Sequence, residues 1–334
     1  MISFRDITVV IQGAVHETVT QEVISSVRRH LPQAYIIFST CDNEVPDTLQ
    51  GYDHLLLSPD PGSYVYPHRP EQRPNNVNRQ IINTHAALQK VTTPFVMKLR
   101  SDFILTGNSF LDYFERYSAV EEEYRVFGHK ILACCYFTRH MHKGLPYPFH
   151  LSDLIYFGRT EDVQKLYDVP LMSREEAYWD KKDMYQYRYT PEQHIFINCL
   201  RKNGFVANCN SYKDCTLENI SQTERYYATN FILLNFEQFN VCCHKTTFQK
   251  REHPKDFLYC YTHFDWLHLY NFYMKANFSL PDKDMEREEL KKMYRAYKKY
   301  NFIANILAFP LFYSKKHRRR LRNWVRRFLF SITK

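Results

Sequence analysis

Three stretches of this chain place reactive side chains where buried apolar runs stop. Ile7–Ile11 gives way to Gln12-Gly13, Ala34–Ser39 to Thr40-Cys41-Asp42, and Pro94–Leu99 to Arg100-Ser101-Asp102. A guanidinium neutralises phosphate charge through paired hydrogen bonds, and a carboxylate holds a divalent cation or takes up a proton. Arg79 adds a second guanidinium, in the polar segment Asn75-Asn76-Val77-Asn78-Arg79. Glu192 follows Thr190-Pro191 just ahead of a periodic segment, and Asp153 sits in His150-Leu151-Ser152-Asp153. A glutamate in a first helical turn is also what the helix dipole favours, so Glu192 is not marked as reactive by position alone. Lys245 supplies a late cation after Val241–Cys243. His140, His142 and His150 fit no familiar zinc-ligand spacing and read as an ordinary loop.

The elements around these residues follow from periodicity. Ile7–Ile11, Ala34–Ser39, His54–Leu57 and Pro94–Leu99 are short apolar or β-branched runs that predict strands, the longer ones buried in a parallel sheet. Amphipathic spacing predicts helices over about 18–30 and from Asn75-Asn76 to about Gln89. The resulting β-α-β-β-α-β order predicts a doubly wound α/β sheet, in which ligands bind beyond the carboxyl ends of the strands. Further strands are expected at 130–137, 151–158, 231–235 and 241–243, with helices at 161–167 and 191–203. Residues 254–313 read as helical and aromatic. The expected organisation is a catalytic domain over 1–250, a helical extension over 251–313 and a basic helix over 314–334.

Composition sets the outer limits. The chain has 334 residues, 44% apolar and 24% charged, which excludes wholesale disorder. Its net charge of +9 equals the nine basic residues of 315–334, so the rest balances 36 basic against 36 acidic residues. A basic patch spread over the fold, as nucleic-acid binding requires, is therefore not expected. In the tail, Leu321, Trp324, Val325, Phe328, Leu329 and Ile332 form one apolar stripe. Arg318, Arg319, Arg320, Arg322, Arg326 and Arg327 flank it. A helix of this kind lies in an anionic membrane interface, here through those arginines with Trp324 and Phe328. Nine cysteines, two pairs of them adjacent and none spaced Cys-x-x-Cys, argue against a disulfide or zinc framework. The amino-terminal residues lack signal-peptide organisation, and no apolar run is long enough to span a bilayer. The expected location is cytoplasmic, peripheral on the inner face of a bacterial inner membrane.

The segments VVIQGAV (9–15), IIFSTCD (36–42), NNVNRQI (75–81), KLRSDF (98–103), HLSDLIYFG (150–158) and PEQHI (191–195) resemble the WavE-type lipopolysaccharide-synthesis family. The motifs keep their order over residues 5–250. Ala14 replaces the proline of the usual IQGPV stretch, and Cys41 the usual aromatic. The resemblance implies a GT-A-like glycosyltransferase that moves a sugar from a nucleotide-sugar donor to a lipid-linked or oligosaccharide acceptor, in lipopolysaccharide or capsule assembly. It places Gln12, Asn78, Arg79, Arg100, Asp102, Asp153 and Glu192 in its motifs, and the strand-end positions add Gly13 and Asp42 to the donor set. By analogy with GT-A enzymes, Lys245 joins the diphosphate site and Glu192 serves as catalytic base, with Asp153 as the alternative. Such enzymes usually carry Asp-x-Asp, holding Mn2+ or Mg2+ at Asp102. Arg100 stands where the first acid would be, so a metal-free transfer is equally open. Two alternatives remain: the same fold with a CMP-sugar donor and no metal, and a non-catalytic membrane-associated scaffold for polysaccharide assembly.

Overall fold

The computed structural model describes residues 2–65, 74–143, 146–179, 187–243 and 259–278. Strands β1 (Ile7–Gln12), β2 (Tyr35–Thr40) and β4 (Phe95–Arg100) are built from β-branched and large apolar residues, nearly all buried. This is what a strand covered on both faces requires. With β3 (His54–Leu57), β6 (Ile131–Cys134), β7 (Tyr156–Arg159) and β8 (Phe231–Leu234) they form a seven-stranded sheet in the order β3-β2-β1-β4-β7-β6-β8. All neighbours are parallel except that β7 runs antiparallel to both β4 and β6. The expected α/β class with a mostly parallel sheet is thus present.

Helices α1 (Glu17–His30) and α2 (Val77–Leu88) make the first crossovers. Right-handed connections put them on opposite faces, because β2 lies on one side of β1 and β4 on the other. α2 packs on β1, β2 and β3 and meets α3 (Thr160–Tyr167), which in turn meets α5 (Pro191–Lys202). The short α4 (Arg174–Ala177) precedes α5. α6 (Leu217–Asn230) and α7 (His263–Met274) pack on each other and on β8. The indole N–H of Trp266 donates to the Tyr227 carbonyl at 3.3 Å.

Three features depart from the sequence expectation. The apolar run 151–158 is a strand only over Tyr156–Arg159, and its first part approaches the sheet as irregular backbone. A three-residue strand, β5 (Phe103–Leu105), pairs with β9 (Val241–Cys243) in a separate ribbon. α6 carries a buried face rich in Asn, Thr and Tyr, which hides its period from an apolar count. Among the described residues, no helix is long and apolar enough to cross a membrane. Most of 251–313 and all of 314–334, with the proposed membrane-surface residues, lie outside the described residues, as does Lys245.

Candidate active site

The strand directions decide where the side chains meet. β1, β2 and β4 are parallel, so Gln12-Gly13, Cys41-Asp42 and Arg100-Ser101-Asp102 emerge at one edge of the sheet. β7 is reversed, so the residues before it, 151–155, arrive at that same edge. β6 is reversed again, which brings Tyr136 and Phe137 there as well. A cleft of about 710 Å³ runs along this edge. Gln12, Gly13, Asp42, Arg79, Arg100, Asp102, Asp153 and Glu192 all line it.

The cleft floor is laced by short bonds. Ser101 donates its backbone N–H to the Gln12 carbonyl at 2.9 Å and its hydroxyl to the Ala14 carbonyl at 2.8 Å. Gly13 has φ +144°, and a Cβ there would meet Ser101 Oγ at 2.4 Å, so glycine is required on both counts. The Asp42 carboxylate accepts the Val15 N–H at 2.6 Å, joining the loops after β1 and β2. Beneath the floor, the Lys98 side chain is fully buried and donates to the Asp153 and Leu154 carbonyls. Gln80 Nε2 reaches the same Asp153 carbonyl at 3.3 Å. Burial pulls the Lys98 amine down to about 7, against the opposing pull of Asp153.

The two guanidiniums are each held in a fork by a carboxylate. Arg100 donates Nε and Nη2 to Asp102 at 3.0 and 2.9 Å. Burial opposes the Arg100 charge, but the Asp102 bonds and charge outweigh it and raise its pKa. Arg79 donates Nε and Nη2 to Asp60 at 2.7 and 2.6 Å, and Nη1 to Asn76 at 3.0 Å. Asp60, in the loop after β3, was not marked by the sequence; the Arg79 bonds hold its carboxyl below the usual range.

At the other end of the cleft, α5 begins with a capping box. The Thr190 hydroxyl accepts the Gln193 N–H at 3.2 Å, and Gln193 Oε1 accepts the Thr190 N–H at 3.1 Å. Pro191 occupies the first helical position, and Glu192 follows it in the first turn. Glu192 Oε2 lies 3.4 Å from His150 Nε2. Burial, then the charge of Asp153, push the Glu192 carboxyl up to about 8. Burial, then the Arg139 charge, pull the His150 imidazole down to about 3. Burial thus favours the neutral form of both groups, and shifts the Glu192 titration toward the neutral range. A carboxyl that titrates near neutrality is suited to moving a proton in either direction.

Asn78 stands apart from the other expected residues. It is buried, its amide donates to the Met172 carbonyl at 3.1 Å and its oxygen accepts the Met172 N–H at 2.8 Å, so it straps the segment before α4 to α2. Asp60, Lys98, Tyr136 and Phe137 are residues at the site that sequence reasoning passed over, and His150 was read there as ordinary loop. A lysine inside the apolar strand Phe95–Arg100 was the one available signal for Lys98.

The residues present do not fit a divalent ion at 100–102. One carboxylate is available there, and both of its oxygens accept from Arg100. A separate group, His129, Glu161 and Asp162, has potential ligand atoms within 4.8 Å of one another. It lies near the carboxyl end of β7, at the opposite edge of the sheet, where Asp162 accepts the Gly128 and His129 N–H groups at 2.8 and 2.9 Å.

Comparison with known proteins adds the following. The model of a family described as WavE lipopolysaccharide synthesis matches residues 7–301. Among solved structures, the chain is similar to the glycosyltransferase GlyE of Streptococcus pneumoniae TIGR4, at 18% identity and a TM-score of 0.31. That match covers 53% of this chain and 41% of the other, so it spans less than half of GlyE. It is also similar to a mutant Drosophila β-1,4-galactosyltransferase 7 in complex with manganese, UDP-Gal and xylobiose. There the identity is 8% and the TM-score 0.31, over 63% of this chain and 68% of the other. No curated protein matches the chain.

Proposed function

The chain belongs to the WavE lipopolysaccharide synthesis family, and on that premise we propose that it is a glycosyltransferase using a nucleotide-sugar donor and a saccharide acceptor in surface-polysaccharide assembly. The observation that carries this reading is the cleft at the carboxyl edge of the sheet. Arg79, Arg100 and Asp102 meet there with Asp153 and Glu192. Donor phosphates lie against Arg79 and Arg100, whose N–H groups outside the Asp60 and Asp102 forks donate to the leaving group's oxygens. Gln12, Gly13 and Asp42 bound the same region, and the missing side chain of Gly13 makes room for the Ser101 hydroxyl on the cleft floor.

The acceptor hydroxyl attacks the anomeric carbon of the donor. A new carbon–oxygen bond forms, the bond to the phosphate oxygen breaks, and the nucleotide leaves with the electron pair. Glu192, ionised before attack, takes the hydroxyl proton. Direct displacement inverts the anomeric configuration. Asp153 binds an acceptor hydroxyl, or acts as base in place of Glu192. No step runs through a metal, because Asp102 is engaged by Arg100 on both oxygens. That pairing also favours a second version, a CMP-sugar donor, which has one phosphate and needs no ion to bridge two.

The test is a thermal-shift screen of uridine, guanosine, thymidine and cytidine sugar nucleotides, with EDTA and with manganese. A rise in Tm with one nucleotide class, unchanged by EDTA, is the expected outcome. A shift that requires manganese removes the metal-free mechanism, and no shift with any nucleotide leaves the scaffold reading.

A further inference from the structure

We propose that Tyr136 and Phe137 form a stacking platform for the acceptor saccharide at the β6 end of the cleft. The proposal rests on the sugar-transfer reading and names which part of the site receives the acceptor. Both residues line the cleft beside Asp153, Leu154 and Glu192. Four strand spacings, roughly 19 Å, separate β6 from β2, whose end carries Cys41 and Asp42. A donor held near β1, β2 and β4 leaves this end for the second substrate.

The backbone supplies an independent observation. Phe137 has φ +67°, a left-handed conformation that a bulky side chain avoids and that Gly or Asn would adopt with less strain. The fold enforces it. Thr138 donates its N–H to the Cys135 carbonyl at 3.0 Å and its hydroxyl to the Cys134 carbonyl at 2.7 Å. In return, the Thr138 hydroxyl accepts the Ser152 N–H at 3.0 Å, and its carbonyl accepts the Tyr261 N–H at 2.9 Å. Strain held in place by surrounding bonds, at a residue that lines a cleft, marks a side chain kept for what it touches. Here the side chain is an aromatic ring. It meets the Tyr136 ring edge-on at 4.5 Å, and Tyr136 is itself braced by Phe236 at 5.8 Å.

The ligand chemistry follows. A pyranose has an apolar face of C–H groups and a rim of hydroxyls. Two half-buried aromatic rings offer a surface for the face, and the carboxyl groups of Asp153 and Glu192 offer acceptors for the rim. The same placement brings one acceptor hydroxyl to Glu192.

Saturation-transfer NMR on the full chain tests this, with irradiation of aromatic protons and a panel of methyl hexopyranosides and heptopyranosides as probes. At least one glycoside is expected to receive saturation on its ring C–H protons. The signal should fall about fivefold or more in Phe137→Leu, Tyr136→Leu and Phe137→Asn. Phe137→Asn should keep the wild-type Tm or exceed it, because asparagine tolerates the left-handed backbone, so loss of its signal cannot be ascribed to unfolding. The Tm rise with sugar nucleotide should persist in all three variants. Undiminished saturation in the variants, or no saturated glycoside with the wild type, overturns the platform even while nucleotide binding persists. Loss of the nucleotide shift in the Phe137 and Tyr136 variants assigns the rings to the donor and also overturns it. Absence of any nucleotide shift in the wild type defeats the sugar-transfer reading itself.

Discussion

Glu192 shows what residue type alone conceals. In the sequence it is a glutamate in a first helical turn, the commonest place for one. Burial and the neighbouring Asp153 raise its pKa from the ordinary value near 4.5 to about 8, and neither cause is visible along the chain. Between those pH values the folded protein holds a proton that the unfolded chain has released. Its contribution to stability is therefore greatest at low pH and is lost as pH rises through about 8. Replacing the carboxyl by an amide removes this dependence. In Glu192→Gln, Tm should fall less steeply from pH 5 to pH 9 than in the wild type, as scanning calorimetry would show. Transfer should drop by about 10²–10⁴-fold. The wild-type kcat/KM should climb with pH through a limb near 8 that the variant lacks; an unchanged limb would assign the base to another group. Arg100 and Asp102 were legible because their charges stand at the end of an apolar run, and Arg79 because it is a cation in a polar helix start. Asn78 looked equally polar, yet its amide is spent on Met172.

At the scale of elements, the amino-terminal half was legible because each buried parallel strand is one short run of β-branched and large apolar residues, broken in β4 by Lys98 alone, and closed by a polar stop. The carboxyl-terminal half was less so. Apolar residues at 151–155 are buried as loop, and α6 buries polar side chains that a hydrophobic period does not count. Lys98 links the halves: it rises from β4 and holds the carbonyls at 153–154 just ahead of β7. Lys98→Met leaves at least one of those carbonyls unpaired, at a cost of about 1–3 kcal/mol, measurable by urea unfolding. Asp153 should lose its fixed position, so kcat should fall about tenfold or more while the nucleotide-induced rise in Tm persists. Loss of the nucleotide shift as well would make Lys98 a general support of the cleft rather than of Asp153.

For the whole molecule, charge is separated from chemistry. The cleft belongs to a body with equal numbers of acidic and basic residues, and the net +9 resides in 315–334. Each basic residue near an anionic bilayer contributes about 1 kcal/mol. Deleting 314–334 should abolish co-sedimentation with phosphatidylglycerol vesicles and leave the nucleotide-induced Tm shift intact; retained sedimentation would put the membrane contact elsewhere. The body has its own dividing line. The proposed donor and acceptor ends of the cleft sit on strand groups that meet along one antiparallel seam, β4 against β7, paired from Phe95↔Arg159 to Lys98↔Tyr156. That seam works as a ruler. A slip of one residue would carry Asp153 about 3.4 Å past Arg100 and turn each β7 side chain to the opposite face. The spacing between Arg100 and Asp153 is thus written into four backbone pairings, and Lys98, bonded across the junction, serves as the pin that stops the scale from sliding.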